Sequence, residues 1–338
     1  HMRIRSITSF CDPSSPSVDQ DLARLAILSD NLRAAINAQV MPVLSTRLAA
    51  VPFPYYLSGL SNSKQQSLVT ALGQKARELG WQYVSLGPAL PDHPWSYAAI
   101  PRLLSIAGDI FCSAVIADEK CFYPAAVRAS ASVIRETATL TPDGFANLRF
   151  AALANVAPGA PFLPAAYHKH ASPPAISIAV ECADAVLTAF DGATDIEASS
   201  ASLIRKLQDL AAVISSVFTN LAAGSNINLL GFDFSPAPFP EDWCSLGGAV
   251  EKLGLSHIGG SGSLAAVAVV ANALDKGTWP RVGFNGMMLP VLEDSVLARR
   301  AEQGLLTVKD LLLYSTVCGT GLDTIPLADA TTQEQLES

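Results

Sequence analysis

The run IFCSAVIA at Ile110–Ala117 is apolar, rich in strand-forming residues and set between two helical stretches. A strand of that kind has no face to give to water. It implies a sheet covered on both sides, and the flanking helices imply β-α-β crossovers. The same alternation runs along most of the chain. Residues 3–10 are compatible with a strand, Asp12-Pro13-Ser14-Ser15-Pro16 breaks it, and a helix opening at Asp19 sets Leu22, Leu25, Ala26, Leu32 and Ile36 on one stripe. A second β-like run covers 40–49. Ser63 is placed to cap a helix reaching about Leu79, and Gly80 stops it before a strand at 81–86. Helices are expected near 100–108 and 124–136, then strands at 175–181, 227–233 and 281–284, with helices at about 199–222 and 263–274 between them. The fold class is α/β, built from repeated β-α units that form either an open sheet or a closed barrel.

Length fits one large domain over residues 1–330, with a weak two-part junction at the polar, small-residue stretch 191–200 and a frayed tail at 331–338. Half of the 338 residues are hydrophobic and 15% are charged, so a large core can form and further apolar surface remains for a homo-oligomer. The net charge is −8 and the 22 basic residues form no cluster, which speaks against nucleic acid or a polybasic membrane contact and for a small-molecule partner. No apolar run reaches the roughly 18 residues of a membrane span. His1 reads as a tag remnant before Met2, with no signal-peptide core behind it. The six cysteines are dispersed without a CxxC pair, as in a cytoplasmic protein with reduced thiols.

Polar chemistry gathers in a few places. The stretch 141–170 carries Asn147, Arg149, Asn155 and His168 in loops stiffened by proline and glycine, suited to a preformed pocket. Arg149 can grip a carboxylate or phosphate, or else tie loop carbonyls together. His168 and His170 would share a face if they lay on a strand, but a single acid/base or hydrogen-bonded His168 suits this loop-like sequence better. Asp233 should emerge at the C-terminal end of a strand, the edge where α/β folds bind ligands, unless it only caps a proline-stiffened turn. Glu181 ends another strand candidate. With Asp233 it could hold a divalent cation such as Mg or Ca.

Ser261 and Gly262 belong to a glycine-rich turn leading into a helix, where exposed amides can cradle an anion or glycines can simply pack closely. No P-loop or dinucleotide fingerprint accompanies it, so no nucleotide cofactor is indicated. From 282 to 323 the chain supplies Asn285, Glu293, Asp294, Cys318 and Asp323. The carboxylates can divide acid and base roles, and Cys318, in a Gly-Thr-Gly context, is either a nucleophile or a buried inert thiol.

FANLRFAALANVAPGAPFLPAAYH, GFDFSPAPFPE, GSGSLAAVAVVANALD, VGFNGMMLPVLED and YSTVCGTGLDTIPL, taken in this order, resemble the DUF711 family and its UPF0210 neighbours. The resemblance runs from about 125 to 327. It implies a reduced form of the α/β barrel of the pyruvate formate-lyase-like glycyl radical enzymes, with functional loops inside. The radical chemistry is not implied, because the turn at Cys318 does not match the Arg-Val-x-Gly loop of those enzymes. His168, Asp233, Asn285, Glu293, Asp294, Cys318 and Asp323 fall within the matching motifs, whereas His170 departs from the small residue expected there. The functional expectation is a non-radical hydrolase, lyase or isomerase acting on a small polar or anionic metabolite. Cys318-dependent acyl or thiol transfer and a non-catalytic, oligomeric metabolite-binding protein are the alternatives.

Overall fold

The computed structural model describes residues 2–338. Its first half consists of β1 (Arg3–Cys11), α1 (Val18–Gln39), β2 (Thr46–Ala50), α2 (Pro54–Leu57), α3 (Asn62–Glu78), β3 (Tyr83–Ala89), α4 (Trp95–Leu104), β4 (Ile110–Ala117), α5 (Pro124–Ala138) and β5 (Phe150–Ala154). Then come β6 (Ala175–Glu181), α6 (Ala183–Phe190), α7 (Ile196–Leu221), β7 (Asn228–Asp233), α8 (Leu246–Glu251), α9 (Ser263–Asp275), α10 (Ser295–Glu302), α11 (Val308–Tyr314) and α12 (Gln333–Glu337). The strands form one seven-stranded sheet in the order β5-β4-β3-β2-β1-β6-β7. β1 to β5 are mutually parallel, β6 and β7 are parallel to each other, and the two groups meet antiparallel at β1 and β6.

The sheet is open, and the closed barrel, the other architecture compatible with the sequence, does not form. It curls into a half-barrel, so that β5 at one edge and residues 283–284, next to the other edge, line the same cavity. Its two faces differ by the period of the strand. Ile4, Ile7, Leu48, Val84, Leu86, Ile110, Ile176, Ile178 and Phe232 lie in the main core with α1, α3, α4 and α7. On the inner face stand Ser6, Thr8, Ala49, Ser85, Ala175 and Ala179, all buried.

That inner face is small and polar because a length of irregular chain lies across it. After β5 the backbone crosses the half-barrel and has to satisfy its carbonyls away from water. Thr8 Oγ1 donates to Pro161 O at 2.9 Å and Ser85 Oγ donates to Ala166 O at 2.7 Å. The His168 amide donates to Ala50 O at 2.9 Å. Both faces of the sheet are therefore covered, by helices on one side and by this segment on the other.

Several elements differ from the sequence expectation. β5 is alanine-rich, with weak strand propensity of its own, and forms because it pairs with the edge of β4. The 281–284 run yields only a bridge from Arg281 to Phe232, since Pro280 precedes it and Gly283 turns the chain at φ +75°. The polar stretch 191–200 holds the start of α7, capped by Asp195. At 331–338, where fraying was expected, Thr332 and Gln335 form a capping box for α12, and Gln333 Nε2 donates to Arg128 O on α5. No helix among the described residues is long and apolar enough to cross a membrane.

Candidate functional site

A cavity of about 960 Å³ opens at the end of the half-barrel where β1 to β4 begin and where β6 and β7 finish. The antiparallel junction brings both kinds of strand end to one mouth. Arg5, Arg47, Tyr83 and Phe111, near the starts of β1 to β4, form its floor. Ala151, Ala152 and Ala154 of β5 form one wall, and Gly283, Phe284, Met288, Glu293 and residues 319–324 form the opposite one.

The opposite wall is built by contacts between the chain's two late motifs. Met287 N donates to Cys318 O at 2.7 Å, and Thr320 Oγ1 donates to Met287 O. A Cβ on Gly286 would come within 2.4 Å of that same Cys318 carbonyl, so the backbones can approach this closely only with glycine there. Asp233 anchors the near end of the wall. Its carboxylate accepts from the amides of Ser235, Phe284 and Asn285 and from the Ser235 hydroxyl, at 2.6–2.9 Å. It is fully buried, and burial raises its pKa against the pull of those donors.

The cavity's charges are unevenly partnered. Arg5 Nη1 donates to Glu181 Oε1 at 2.9 Å and its other nitrogen lies 3.5 Å from Glu293, while Arg3 holds the second Glu181 oxygen at 2.9 Å. Arg47 has no such partner. Its Nε donates to Ser45 Oγ at 3.0 Å and its guanidinium carbon sits 5.9 Å from the centre of the Tyr83 ring, but it forms no ion pair among the described residues. Enclosure, reinforced by the like charge of Arg5 and only partly opposed by Tyr83 and the charges of Glu181 and Glu293, pushes the Arg47 pKa down to about 9. Asp323, in the wall, accepts from Thr324 N at 2.7 Å. Burial raises its pKa, the charge of Glu293 adds to the effect, and Arg5 and Thr324 oppose it.

Of the residues singled out from sequence, Glu293, Asp323 and Asn155 line this cavity, and Cys318 lies just behind its wall. The others have structural surroundings. Arg149 gives its Nη1 to the carbonyls of Leu104 and Ala107 at 2.7 and 2.8 Å, satisfying the open end of α4. Asn147 Nδ2 donates to Ile134 O at 3.1 Å. Asn285 Oδ1 accepts from Phe234 N and Trp279 Nε1. His168 is buried near Phe10 with Nε2 3.3 Å from Ser172 O, and burial lowers its pKa. His170 is exposed and reaches Asp12 instead, with Nδ1 3.0 Å from its carboxylate. Asp294 caps α10 and also receives the first amides of α8. Ser261 and Gly262 are exposed outside the cavity lining, and a Cβ on neighbouring Gly259 would lie 1.9 Å from Leu305 O, so close packing accounts for that glycine.

Glu181 and Asp233, expected from sequence as a pair of cation ligands, are both committed elsewhere. Glu181 is engaged by two guanidiniums and Asp233 by four donors, so neither presents free oxygens to a cation. No group of three or more His, Cys, Asp or Glu suited to a metal occurs among the described residues.

Cys318 is 1% exposed, and its sulfur accepts from Gly321 N at 3.2 Å and Thr320 N at 3.4 Å. Of the six cysteines only Cys121 is exposed. Iodoacetamide at neutral pH followed by peptide mass spectrometry is expected to label Cys121 first and Cys318 only when the protein unfolds. Labelling of Cys318 ahead of Cys121 would restore it as a nucleophile.

Arg5, Arg47, Tyr83 and Phe111 are not among the residues expected from sequence, because they lie near the starts of their strands and not at the C-terminal ends. The available signal was an arginine inside each of two strands whose neighbours are small or apolar. A half-buried charge in such a place needs a reason.

Comparison with known proteins agrees with the motif resemblance. A family model described as "Uncharacterised ACR (DUF711)" matches residues 1–338. A UPF0210 protein of Clostridium perfringens is 24% identical over 311 residues, covering 86% of this chain and 68% of that protein. One from Neisseria gonorrhoeae is 25% identical over 308 residues, 84% of this chain and 66% of its own length. One from Sulfurisphaera tokodaii is 32% identical over 190 residues, 52% of this chain and 41% of its own. The chain thus spans about two thirds of the length of the first and second of these, and less of the third.

Proposed function

This chain belongs to the DUF711 family, and we propose that its cavity is the site of an enzyme acting on a small anionic metabolite by proton transfer. The observation that carries the proposal is Arg47, a guanidinium enclosed in a cavity with no carboxylate in direct ion-pair contact among the described residues, Glu181 and Glu293 acting on it only from a distance. An enclosed charge is costly unless something compensates it, and an incoming carboxylate or phosphate is the natural complement, held by a two-pronged contact. Asp323 and Glu293 then supply the acid and the base. Burial favours the protonated form of Asp323, which suits a proton donor, and Glu293, more exposed and paired with Arg5, suits an acceptor. Chemistry of this kind belongs to lyases, isomerases and hydrolases. The open, curled sheet with a segment crossing its interior also supports a reduced version of the glycyl radical enzyme barrel.

Proton NMR in D2O tests the reading whatever product is formed. The protein is incubated with pooled small carboxylic acids and phosphate esters, and exchange or loss of a carbon-bound proton is followed. The expected result is exchange or conversion of at least one compound, reduced about 100-fold or more in Asp323→Asn with anion binding retained. Binding of anions with no exchange or conversion of any of them would leave a binding protein and remove the enzyme.

A further inference from the structure

The charged groups do not account for the rest of the cavity. At about 960 Å³ it lies near the top of the usual range for small-molecule pockets, roughly 300–1,000 Å³, and a bare phosphate or acetate would leave most of it to water. Beside Arg47 the floor is aromatic. Tyr83 is 38% exposed although it begins a strand in the floor of a cavity, and Phe111, on the neighbouring strand, meets it edge to face at 5.6 Å and 84°. Neither ring belongs to the hydrophobic cores. The next strand, β5, lines the same cavity with Ala151, Ala152, Leu153 and Ala154, three of the four being small side chains that take up little of the space beside the rings. The guanidinium carbon lies over the Tyr83 ring at 5.9 Å from its centre, the outer limit of cation–π distance, so it makes at most a loose contact with that ring.

We infer that the ligand is an anion bearing a flat apolar group, with its carboxylate or phosphate on Arg47 and its planar part on the shelf made by Tyr83 and Phe111. This rests on the reading of Arg47 as an anion anchor and adds the class of compound. Tyr and Phe gain most from a partner that offers them a ring face or edge, and desolvating both rings together adds to the charge contact. The polar wall of Glu293, Thr320 and Asp323 lies across the cavity from the alanine wall. The reacting carbon would accordingly sit between the anionic group and that wall, with the planar group directed away from it.

Isothermal titration of the intact protein with matched anions separates the two layers of the inference. The probes are acetate against phenylacetate, and inorganic phosphate against phenyl phosphate. The aryl member of each pair is expected to bind about tenfold more tightly. Tyr83→Ala should remove that preference, lowering phenylacetate and phenyl phosphate affinity by more than acetate and phosphate affinity, and Tyr83→Phe should keep it. Thermal melts of both variants confirm that the fold is retained, as the exposure of Tyr83 leads one to expect. Equal affinity within each pair would overturn the aromatic shelf and leave the anion anchor standing. An equal loss for all four probes in Tyr83→Ala would likewise overturn the shelf, because the tyrosine would then only be positioning Arg47. No binding of any of the four would overturn the anchor and the shelf together.

Discussion

Replacing Arg47 with Met is expected to abolish anion binding and to raise the stability of the protein. The two effects have one origin. Arg47 is enclosed without a direct ion pair, and Arg5 disfavours its charge further, an effect that the more distant Glu181 and Glu293 only partly offset. Folding therefore holds a guanidinium in an environment worse than water, and a methionine of similar length would fill the same space without that penalty. Exchanging buried ionic groups for apolar ones of similar volume stabilises other proteins by about 1–4 kcal/mol, and about 1–3 kcal/mol is expected here because the cavity is open to solvent on one side. Urea denaturation measures the gain, and titration with phosphate and acetate measures the loss. A destabilised variant would show that Arg47 serves packing, and unchanged anion affinity would remove it from the site.

The same environment sets a pH dependence with a definite sign. The Arg47 pKa in the folded chain, about 9, lies below its unfolded value. The penalty for holding it charged is therefore fully present below pH 9 and is relieved as pH rises through that value towards the unfolded one. Anion binding needs the charged form, so affinity should hold below about pH 9 and fall above it. In Arg47→Met the corresponding change in stability across that range should vanish.

How much of this was legible in the sequence depends on what each residue answers to. Leu22, Leu25, Leu32 and Ile36 repeat at helix spacing and lie in the core as α1, since a local period suffices to place them. β5 could not be read locally, because FAALA becomes a strand only through the free edge of β4. The polar inner face was partly legible in Ser6, Thr8 and Ser85, which alternate with residues of the opposite face. Their purpose, however, depends on a segment some 80–155 residues away in sequence. The site divides in the same manner. Glu293 and Asp323 stood out as carboxylates in dense polar motifs, whereas Arg47 gains its meaning from the want of a direct ion pair in the folded chain, which no sequence displays. Arg149 shows the reverse, since its carbonyl partners come from α4 and the turn after it, about 40 residues earlier.

Asp294 carries the largest expected loss of stability. Its carboxylate is 1% exposed and receives five donors: the Ser245 hydroxyl at 2.6 Å, the amides of Leu246 and Gly247 at 2.7 and 3.0 Å, and those of Val296 and Leu297, both at 3.0 Å. Two helices begin at this one side chain, α10 directly after it and α8 from across the loop. A helix start leaves its first amides without partners, and a buried anion there answers both the hydrogen bonds and the dipole. Ser245 is fixed between the two, because its hydroxyl also accepts from Gly248 N at 2.9 Å. Asp294→Ala would leave four buried amides and a hydroxyl unmet at once, a loss of roughly 3–5 kcal/mol, beyond that of an ordinary surface cap. Asp294→Asn keeps one acceptor oxygen but turns an NH2 group towards donors, so an intermediate loss of about 2–3 kcal/mol is expected. Both are read from the urea midpoint. Should Asp294→Ala unfold at the native midpoint and yet lose turnover, the carboxylate would belong to the chemistry of the cavity, as its place in the sequence first indicated. A lowered midpoint with turnover intact under folding conditions would make it the clasp that holds α8 and α10 behind the cavity wall.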